Sequence, residues 1–334
     1  MPGGTTNPFL FLFGCARSGT TLLVRMLDAH PEVAMGPRFG WLATAYKDDV
    51  GVTADGSLTP AFIEEFERRP RFFRPGEIPL DREALLELGR LSYAEFVSEI
   101  LDRYGDTRGK PHVGTKTFPL VFDFETVHRL WPRTKVIHIV RDGRDTALSL
   151  LEWRRADKMW RFATWQHDPV GTAALWWEWH VRLVQDAARI AGPERFYEIR
   201  YESLVSQPQH ELGALCEFLG LPYDDAMLRY HEGRTRDDPS LDAKHAWLPP
   251  IVGLRDWRSQ MLPEDVERFE AVAGGLLEEL GYPLSCSPSA EARSRAAWLR
   301  SLFVPEGPVP RAWRGDGADV DSAVPTKSAG AGRG

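Results

Sequence analysis

The fold of this chain is decided by residues 9–21, which read Phe-Leu-Phe-Leu-Phe-Gly-Cys-Ala-Arg-Ser-Gly-Thr-Thr. An apolar run typical of a buried strand is followed by Gly14 and Gly19, which keep the spacing of a Walker A phosphate loop. In that loop, backbone N–H groups close on phosphate oxygens, a lysine reaches the β- and γ-phosphates, and a hydroxyl holds Mg²⁺. Here Thr20 stands at the lysine position and Thr21 at the hydroxyl position, while the cation, Arg17, lies inside the loop. The missing lysine predicts an anion site with a chemistry different from that of an ATPase.

A helix is predicted directly after the loop, because Leu22, Leu23, Met26 and Leu27 fall on one helical stripe. The ligand would then lie at a helix N-terminus, where the dipole and the free N–H groups favour an anion. The spacing of the two glycines alone is weak evidence, and the plain alternative is a tight turn between a strand and a helix. The Arg-Ser-Gly-Thr-Thr run and the elements on both sides favour the phosphate loop.

Composition and charge limit the classes of function. With 334 residues and 43% hydrophobic content, the chain can bury a large core. A net charge of −7 and a pI near 5.8 argue against a nucleic-acid partner, so any basic site must be local. Cys15, Cys216 and Cys286 are widely spaced, which fits a reducing compartment and predicts no metal cluster. We therefore expect a cytoplasmic protein without a membrane span, and the sequence does not indicate its oligomeric state.

Strands and helices are predicted to alternate along the chain. Buried-strand patterns at 135–140 and 196–201 follow the first strand, loop and helix at 8–30. Helices are predicted at 60–69, 81–104, 209–219 and 263–280. This alternation favours an α/β, P-loop-type three-layer fold with a central parallel sheet flanked by helices, whose ligands lie beyond the carboxyl ends of the strands.

Two parts of the chain depart from this alternation. Residues 32–115 are expected to form an insertion over the sheet edge, as substrate lids often do. From about residue 285 onward Ser, Pro, Gly and Ala dominate, so we divide the chain into a domain at 1–284 and a largely disordered tail at 285–334. One short docked helix around Trp298–Phe303 is compatible with the tail.

Arg141 and Ser149 form a second group of candidate phosphate ligands. Arg141 follows the strand at 135–140, and Ser149 lies two turns into the helix expected after it. Both are expected to face the cleft of the first loop, where an arginine fork and a hydroxyl suit a second phosphate group. An arginine at this strand end also argues against a Walker B motif, whose terminal carboxylate would hold Mg²⁺.

With both motifs in place, the sequence resembles the sulfotransferases that use 3′-phosphoadenosine 5′-phosphosulfate (PAPS). Residues 11–23 look like their 5′-phosphosulfate loop, residues 135–149 like their 3′-phosphate site, and residues 200–204 with 217–222 like the segment near the adenine. The resemblance spans roughly residues 8–284. It points to the bacterial branch, which is also similar to tyrosylprotein and carbohydrate sulfotransferases.

The resemblance implies which residues bind the donor. It assigns the 5′-phosphosulfate to Arg17, Ser18, Gly19, Thr20 and Thr21, and the 3′-phosphate to Arg141 and Ser149.

Three further residues receive roles from the resemblance alone. Lys116 matches a lysine near the transferring sulfuryl group, Tyr201 would lie beside the nucleotide, and Arg255 would belong to a late loop that closes over it. Plain alternatives stay open: a solvated turn for Lys116, core packing for Tyr201, and core packing for Trp257 beside Arg255.

The usual catalytic base of this family is missing. Where its carboxylate is expected, the chain reads Met-Gly-Pro-Arg-Phe-Gly at 35–40, with Arg38 at or next to that place. Cytosolic relatives use a histidine in a Lys-Thr-His-Leu-Pro segment, and Phe118 takes its position here. A general base contributes on the order of 10²–10⁴ in rate. Its absence favours a phenol or an amine, which are easier to activate than an alcohol.

Three residues that flank Lys116 in sequence are candidate substitutes for the base. They are His112, Asp123 and Glu125, and each is also explained as an ordinary surface residue.

We expect an enzyme that transfers a sulfuryl group from PAPS to a small-molecule, natural-product or carbohydrate acceptor without a metal. Arg17, Lys116 and helix-end amides would neutralise charge where a kinase uses Mg²⁺. One rival is a P-loop kinase-like enzyme, against which Thr20 and the missing carboxylate argue. The other is a catalytically silent nucleotide-binding protein, suggested by Arg38 and Phe118.

Overall fold

A five-stranded parallel sheet organises the part of the chain that the structure describes. The computed structural model describes residues 7–36, 44–47, 50–68, 78, 80, 82–152, 162–232, 248–305 and 307–314. The strands are β1 (Leu10–Phe13), β2 (Val33–Met35), β3 (His112–Thr115), β4 (Lys135–Val140) and β5 (Phe196–Arg200). Their spatial order is β2-β3-β1-β4-β5, and every neighbouring pair is parallel. Because β1 is central, the loop that follows it lies in the middle of the carboxyl edge of the sheet.

Helices connect the strands and cover both faces of the sheet. In chain order they are α1 (Thr20–Ala29), α2 (Pro60–Arg68), α3 (Arg82–Leu88), α4 (Tyr93–Arg108), α5 (Phe124–Leu130), α6 (Gly143–Leu151), α7 (Ala163–His167), α8 (Pro169–Ala191), α9 (Tyr201–Ser206), α10 (Pro208–Leu219), α11 (Trp257–Gln260), α12 (Pro263–Glu279) and α13 (Ala290–Leu302). Short 3₁₀ turns lie at Ala45–Lys47, Phe118–Asp123, Pro193–Arg195, Asp225–Met227 and Arg311–Trp313.

The central strand β1 explains why both faces are covered. Phe11 and Phe13 pack with buried residues of α4, α8 and α12, whereas Leu10 and Leu12 pack on the other face with α1 and α10. Since successive side chains of a strand alternate between faces, a strand that is apolar at every position needs cover on both. The expected α/β fold, a central parallel sheet flanked by helices, is confirmed.

Residues 32–115 differ from the expected insertion over the sheet edge. β2 and β3 belong to the sheet, and β3 lies between β2 and β1. The helix predicted at 81–104 is two helices, α3 and α4, because a capping box starts a new helix at Ser92. Ser92 Oγ accepts the Glu95 N–H, and the Glu95 carboxylate accepts the Ser92 N–H at 2.9 Å. Apolar spacing alone overlooked this boundary.

The other predicted elements lie close to their observed bounds. The helices expected at 60–69, 209–219 and 263–280 correspond to α2, α10 and α12, and the strand at 135–140 is β4. The last predicted strand, at 196–201, ends one residue early because Tyr201 begins α9.

The chain after residue 284 contributes a helix to the main core. Helix α13 has Ser289 as its N-cap, and its buried Leu299 packs in the same cluster as α8 and α12. An Arg300 Nη atom donates to Glu178 of α8 at 2.6 Å. The division of the chain at residue 284 stays a prediction, and residues 315–334 of the expected tail lie outside the described residues.

Candidate functional site

The predicted phosphate loop lies at the carboxyl end of β1, against Tyr201. Gly19 precedes α1 with a φ of 90°, and Arg17 also has a positive φ, of 76°. A side chain at Gly19 would collide with the Tyr201 ring. Glycine thus satisfies both the backbone angle and the close contact. The first N–H groups of α1, which lack acceptors within the helix, remain available to a ligand.

Arg141 follows the carboxyl end of β4 and reaches the same place from the neighbouring strand. Its guanidinium stacks on the Tyr201 ring at 4.3 Å, and Nη1 lies 3.4 Å from the Arg17 carbonyl oxygen. Its buried Nε–H has no hydrogen-bond partner among the residues that the structure describes. Leaving a buried donor unpaired costs about 1–3 kcal/mol. This atom therefore marks a position for an anionic oxygen.

The two sequence motifs share one cleft. Arg17 Nε–H donates to Ser149 Oγ at 3.0 Å, although the two residues are 132 positions apart. Ser18 is buried beneath them, with its Oγ 3.4 Å from Thr146 Oγ1. The expectation that Arg141 and Ser149 face the first loop agrees with this geometry. Their binding roles stay predictions.

The cleft is a cavity of about 340 Å³, which is within the size range of small-molecule sites. Its lining combines the phosphate loop, Arg141 after β4, the end of α6, two tyrosines and the segment before α11. The lining residues are Arg17, Gly19, Thr20, Thr21, Leu22, Arg141, Ser149, Glu152, Tyr201, Tyr230, Pro249, Pro250, Ile251, Leu254 and Arg255. The cavity therefore unites eight predicted donor ligands, and Ser18 lies just beneath it.

Three guanidinium groups, those of Arg17, Arg141 and Arg255, surround the cavity. Burial lowers the pKa of Arg17, and the charges of Arg255 and Arg141 lower it further. Like charges held this close destabilise one another, and an anion between them removes that cost. The chain has an overall charge of −7, yet it carries a cationic site. The site is local, as expected for a basic site in an acidic chain.

The mouth of the cavity is bridged by an ion pair. The Arg255 guanidinium donates to both carboxylate oxygens of Glu152, at 2.7 and 2.5 Å. Arg255 is the more sheltered partner, since 17% of its side chain is exposed compared with 51% for Glu152. The loop that carries Arg255 is therefore tied to the end of α6.

A buried charge network supports α6 from behind. Arg144 is fully buried and donates to Asp142 at 2.8 Å and to Glu270 at 2.6 Å. The Trp257 ring stacks 3.7 Å from the Arg144 guanidinium, and its indole N–H donates to Asp142 at 3.0 Å. Trp257 is thus both a core residue, the alternative left open above, and the anchor of the Arg255 loop.

Asp145 connects that anchor to the cavity. Its carboxylate accepts the Trp257 backbone N–H at 2.8 Å and lies 3.6 Å from Arg141 Nη2. Burial raises the pKa of Asp145 to about 6, although the Arg141 charge and the Trp257 N–H act in the opposite direction. A group that titrates near neutral pH therefore touches the arginine expected to hold the 3′-phosphate.

Lys116 is not among the residues that line the cavity. It follows β3, and since Phe11 pairs with Thr115, it lies at the carboxyl edge beside the end of β1. Phe118, two positions further on, packs its ring 6.3 Å from Phe13 and 4.3 Å from the His180 ring of α8. Arg38, the other position where a base was expected, lies outside the described residues.

The three candidate bases occupy other surroundings. His112 stacks on Phe9 at 4.2 Å and begins β3, so it lies at the edge of the sheet opposite the cavity. Asp123 accepts the Tyr46 hydroxyl at 3.1 Å, and Glu125 is exposed in the first turn of α5. The geometry favours none of them as the base.

Sequence reasoning missed Glu152, Tyr230 and Asp145. Glu152 lies three positions after Ser149, so helical spacing would have placed it on the same face. The Tyr230 hydroxyl donates a hydrogen bond to the Leu248 carbonyl oxygen at 2.6 Å, and no local sequence pattern predicts this contact. Asp145 would have needed knowledge of the loop that packs on it.

The described residues contain neither a metal-binding group of side chains nor a membrane-spanning helix. No group of three or more His, Cys, Asp or Glu side chains there is arranged to hold a metal ion. None of the helices described is long and apolar enough to cross a membrane.

The chain is similar to known proteins over most of its length. The model described as "Sulfotransferase family" matches residues 8–225. Protein-tyrosine sulfotransferase A of Caenorhabditis elegans is 26% identical over 295 residues, which are 85% of this chain and 69% of that protein. Protein-tyrosine sulfotransferase of Drosophila melanogaster is 25% identical over 289 residues, 84% of this chain and 53% of that protein. The chain thus spans about half the length of the second relative.

A solved structure shares the architecture. The sulfotransferase domain of the Synechococcus PCC 7002 olefin synthase aligns with a TM-score of 0.54 and 22% sequence identity, covering 85% of this chain and 98% of that domain. At this identity the likeness concerns the fold alone.

Proposed function

Because this chain belongs to the sulfotransferase family, we propose that it transfers the sulfuryl group of PAPS to a phenolic hydroxyl. The resemblance to PAPS-dependent sulfotransferases, and with it the expectation of a PAPS-dependent sulfotransferase enzyme, is confirmed. The phenol and the residues that bind each substrate are our proposals.

The observation that carries the donor assignment is the set of three arginines around one cavity. PAPS brings three anionic groups: a 5′-phosphate, the sulfuryl group attached to it, and a 3′-phosphate. We assign the first two to Arg17 and the N–H groups that begin α1, and the 3′-phosphate to Arg141 and Ser149. The unpaired Arg141 Nε–H supports this assignment, since it lacks an acceptor within the described residues. Tyr201, Tyr230 and Ile251 offer the apolar surface that a purine base needs.

Two observations support a phenol as acceptor. Residues with aromatic rings, Phe118 and His180, lie beside the Lys116 segment. The relatives reported above are named protein-tyrosine sulfotransferases, and tyrosine is a phenol. A phenol, with a pKa near 10, is also far easier to activate than an alcohol. A protein tyrosine and a free phenol share this chemistry, and a carbohydrate or other small-molecule alcohol is the alternative acceptor.

The residues after β4, where a Walker B carboxylate would hold Mg²⁺, argue against the kinase-like alternative. Asp142, the first carboxylate after β4, is engaged by Arg144 Nε at 3.0 Å and Nη2 at 2.8 Å, and by the Trp257 indole at 3.0 Å. Both of its oxygens therefore have protein partners in place of a metal ion.

The test measures binding and transfer in the presence of a chelator. The bisphosphate product, adenosine 3′,5′-bisphosphate (PAP), should raise the melting temperature without metal, since ligand at a hundred times its Kd adds about 2.7 kcal/mol to the free energy of unfolding. Sulfate transfer from PAPS to a simple phenol and to a tyrosine peptide should be detected by mass, and transfer to a sugar alcohol should be slower.

The matched control ligand is adenosine 5′-phosphosulfate, which lacks the 3′-phosphate and should stabilise the fold less than PAP. Stabilisation that requires ATP and Mg²⁺, with no response to PAP, would contradict the donor assignment. Transfer to the sugar alcohol that exceeds transfer to both phenols would contradict the acceptor assignment while leaving the donor intact.

We also propose that the enzyme acts in the cytoplasm. All three cysteines are free thiols, which suits a reducing compartment. Fractionation of the native host, with the protein detected by antibody, tests this, and recovery from an oxidising compartment contradicts it.

A further inference from the structure

The proposed reaction needs a group that removes the proton of the acceptor, and Phe118 takes the place of the histidine that cytosolic relatives use. A phenylalanine has no atom that accepts a proton. The side chain that contacts it does: the His180 ring lies 4.3 Å from the Phe118 ring. An imidazole therefore lies next to the position of the missing base. It belongs to α8 and not to the segment after β3.

The hydrogen bond of His180 fixes its tautomer. Nδ1 lies 2.7 Å from the backbone oxygen of Trp176. A carbonyl oxygen only accepts hydrogen bonds, so Nδ1 carries the proton of the neutral ring. Nε2 then carries the lone pair, which is the state that a general base requires. The bond also orients the ring, because donor and acceptor are one turn apart on the same helix.

The surroundings of His180 are aromatic and largely closed to water. The ring lies 4.0 Å from Trp176 and 4.8 Å from Trp179, and only 6% of the residue is exposed. The indole N–H of Trp176, which is itself buried, has no hydrogen-bond partner among the described residues. Such a donor favours an oxygen atom next to the imidazole, and the oxygen of an acceptor meets that need. We call Lys116, Phe118, Trp176 and His180 the acceptor-side cluster.

Helix α8 also connects this cluster to the donor cavity. The Trp177 indole N–H donates to the Arg141 carbonyl oxygen at 3.2 Å. His180 lies three positions later, on the neighbouring turn of the same face. The helix that contacts the arginine assigned to the 3′-phosphate thus carries the imidazole as well, so α8 fixes both side chains relative to one another.

We propose that His180 is the general base of the sulfuryl transfer, a proposal that rests on the function proposed above. His180 Nε2 takes the hydroxyl proton of the acceptor, and the oxygen electron pair forms the new O–S bond. The bond between sulfur and the bridging oxygen breaks, and its electron pair stays on the 5′-phosphate of PAP. The products are the sulfate ester, PAP and a protonated His180, which later returns its proton to water.

The test compares His180→Asn with the parent enzyme across phenols of different acidity. Asparagine can still donate to the Trp176 carbonyl oxygen but has no atom equivalent to basic Nε2. We expect kcat to fall by about 10²-fold or more for a phenol with a pKa near 10, within the usual range for a general base. For an acidic nitrophenol that is mostly ionised at the assay pH, we expect less than a tenfold loss, since no proton remains to be removed.

The control variant is His210→Asn, which removes an exposed histidine of α10, and its rates should match the parent for every phenol. A thermal shift with PAP that equals that of the parent shows that His180→Asn folds and binds donor. An equal loss for all phenols would overturn the proposal, because a structural role does not depend on the acidity of the acceptor.

The parent enzyme provides a second measurement if the variant does not fold. With a base present, kcat/KM should change only weakly with the pKa of the phenol. Rates proportional to the ionised fraction of each phenol would show that the enzyme lacks a base and overturn the proposal. Failure of PAP binding or of transfer from PAPS in the parent would instead contradict the proposed function itself.

Discussion

The donor cavity and the acceptor-side cluster both lie beside the carboxyl ends of the central strands, yet charges line the first and aromatic rings the second. Arg17, Arg141 and Arg255 surround the cavity, whereas His180 lies among the rings of Phe118 and Trp176. An anionic ligand requires fixed donors, and each arginine is held by a named partner or by a loop anchor. An acceptor that must lose a proton requires a base shielded from water, and rings exclude water without competing for that proton.

This difference predicts that variants in the two regions fail in different ways. Changes around the cavity should alter the affinity for PAP, and changes in the acceptor-side cluster should alter turnover while PAP still binds.

The largest effect is expected for Lys116→Ala. We expect Lys116 to stabilise charge that grows in the transition state, and removing one such group costs about 10²–10³ in kcat. Lys116→Arg, which keeps the charge, should retain more activity than alanine. The measurements are kcat with saturating PAPS and the Kd of PAP by calorimetry. Parallel losses in kcat and in PAP affinity would make Lys116 part of the donor cavity and weaken the division between the two regions.

Much of the donor cavity could be predicted from sequence because its residues belong to local patterns. Gly19 and Thr20 are read from a loop between a strand and a helix, and Arg141 with Ser149 from the next such unit. The structure agrees with both units, and the Arg17 bond to Ser149 shows that they meet.

The acceptor-side cluster could not be predicted in the same way. The contact of Phe118 with His180 joins residues from a 3₁₀ turn and a long helix, and no periodicity relates the two. The sequence did not predict β2 and β3 for a related reason. Each has only three or four residues, one of them Gly114, which are too few to show the apolar pattern of a buried strand. Sequence reasoning therefore looked for the base among the neighbours of Lys116 along the chain, whereas the imidazole that contacts Phe118 belongs to the distant helix α8.

The second largest effect is expected for Arg141→Ala. A charge-assisted hydrogen bond contributes about 1.5–3 kcal/mol, so the Kd of PAP should rise roughly 10- to 150-fold. Ser149→Ala removes one neutral partner and should cost nearer 1 kcal/mol, or about fivefold. Calorimetry with each variant provides both values.

Adenosine 5′-phosphosulfate separates specific binding from general damage to the fold. Because it lacks the 3′-phosphate, its affinity should change little in either variant. Equal weakening for both ligands would show that Arg141 and Ser149 support the fold or the 5′ end instead of the 3′-phosphate.

A smaller effect, confined to pH, is expected for Asp145→Asn. Burial raises the pKa of Asp145 to about 6, above its ordinary value, so the folded state binds this proton more tightly than the unfolded state does. The stability from that proton is present below about pH 4 and is lost as the pH rises through about 6. Asparagine avoids that loss, so its melting temperature relative to the parent should increase between pH 4 and 7.

Asp145→Asn should also change the number of protons that the protein takes up when PAP binds. A phosphate placed beside Arg141 offsets the charge that favours ionised Asp145, so Asp145 should take up protons on binding near pH 6.5. Calorimetry in two buffers of different ionisation enthalpy measures the net proton exchange, and the protons that the phosphates release among the arginines are common to parent and variant. Equal uptake in both would separate Asp145 from the donor cavity.

The smallest effect is expected at the mouth of the cavity, for Glu152→Gln. The Glu152 carboxylate holds the Arg255 guanidinium through two hydrogen bonds, and half of its side chain is exposed. Exposed pairs of this kind contribute about 0.2–1 kcal/mol. If Arg255 must leave this partner to reach an anion, glutamine should tighten PAP binding by no more than about fivefold. The gain should shrink in high salt, which screens the competing charge in the parent.

Glu125→Gln, on the exposed side of α5, removes an equal charge away from the cavity and should leave the Kd of PAP unchanged. Weaker binding in Glu152→Gln would mean that the ion pair holds the Arg255 loop in its binding position. Glu152 would then support the donor cavity instead of competing with PAP for Arg255.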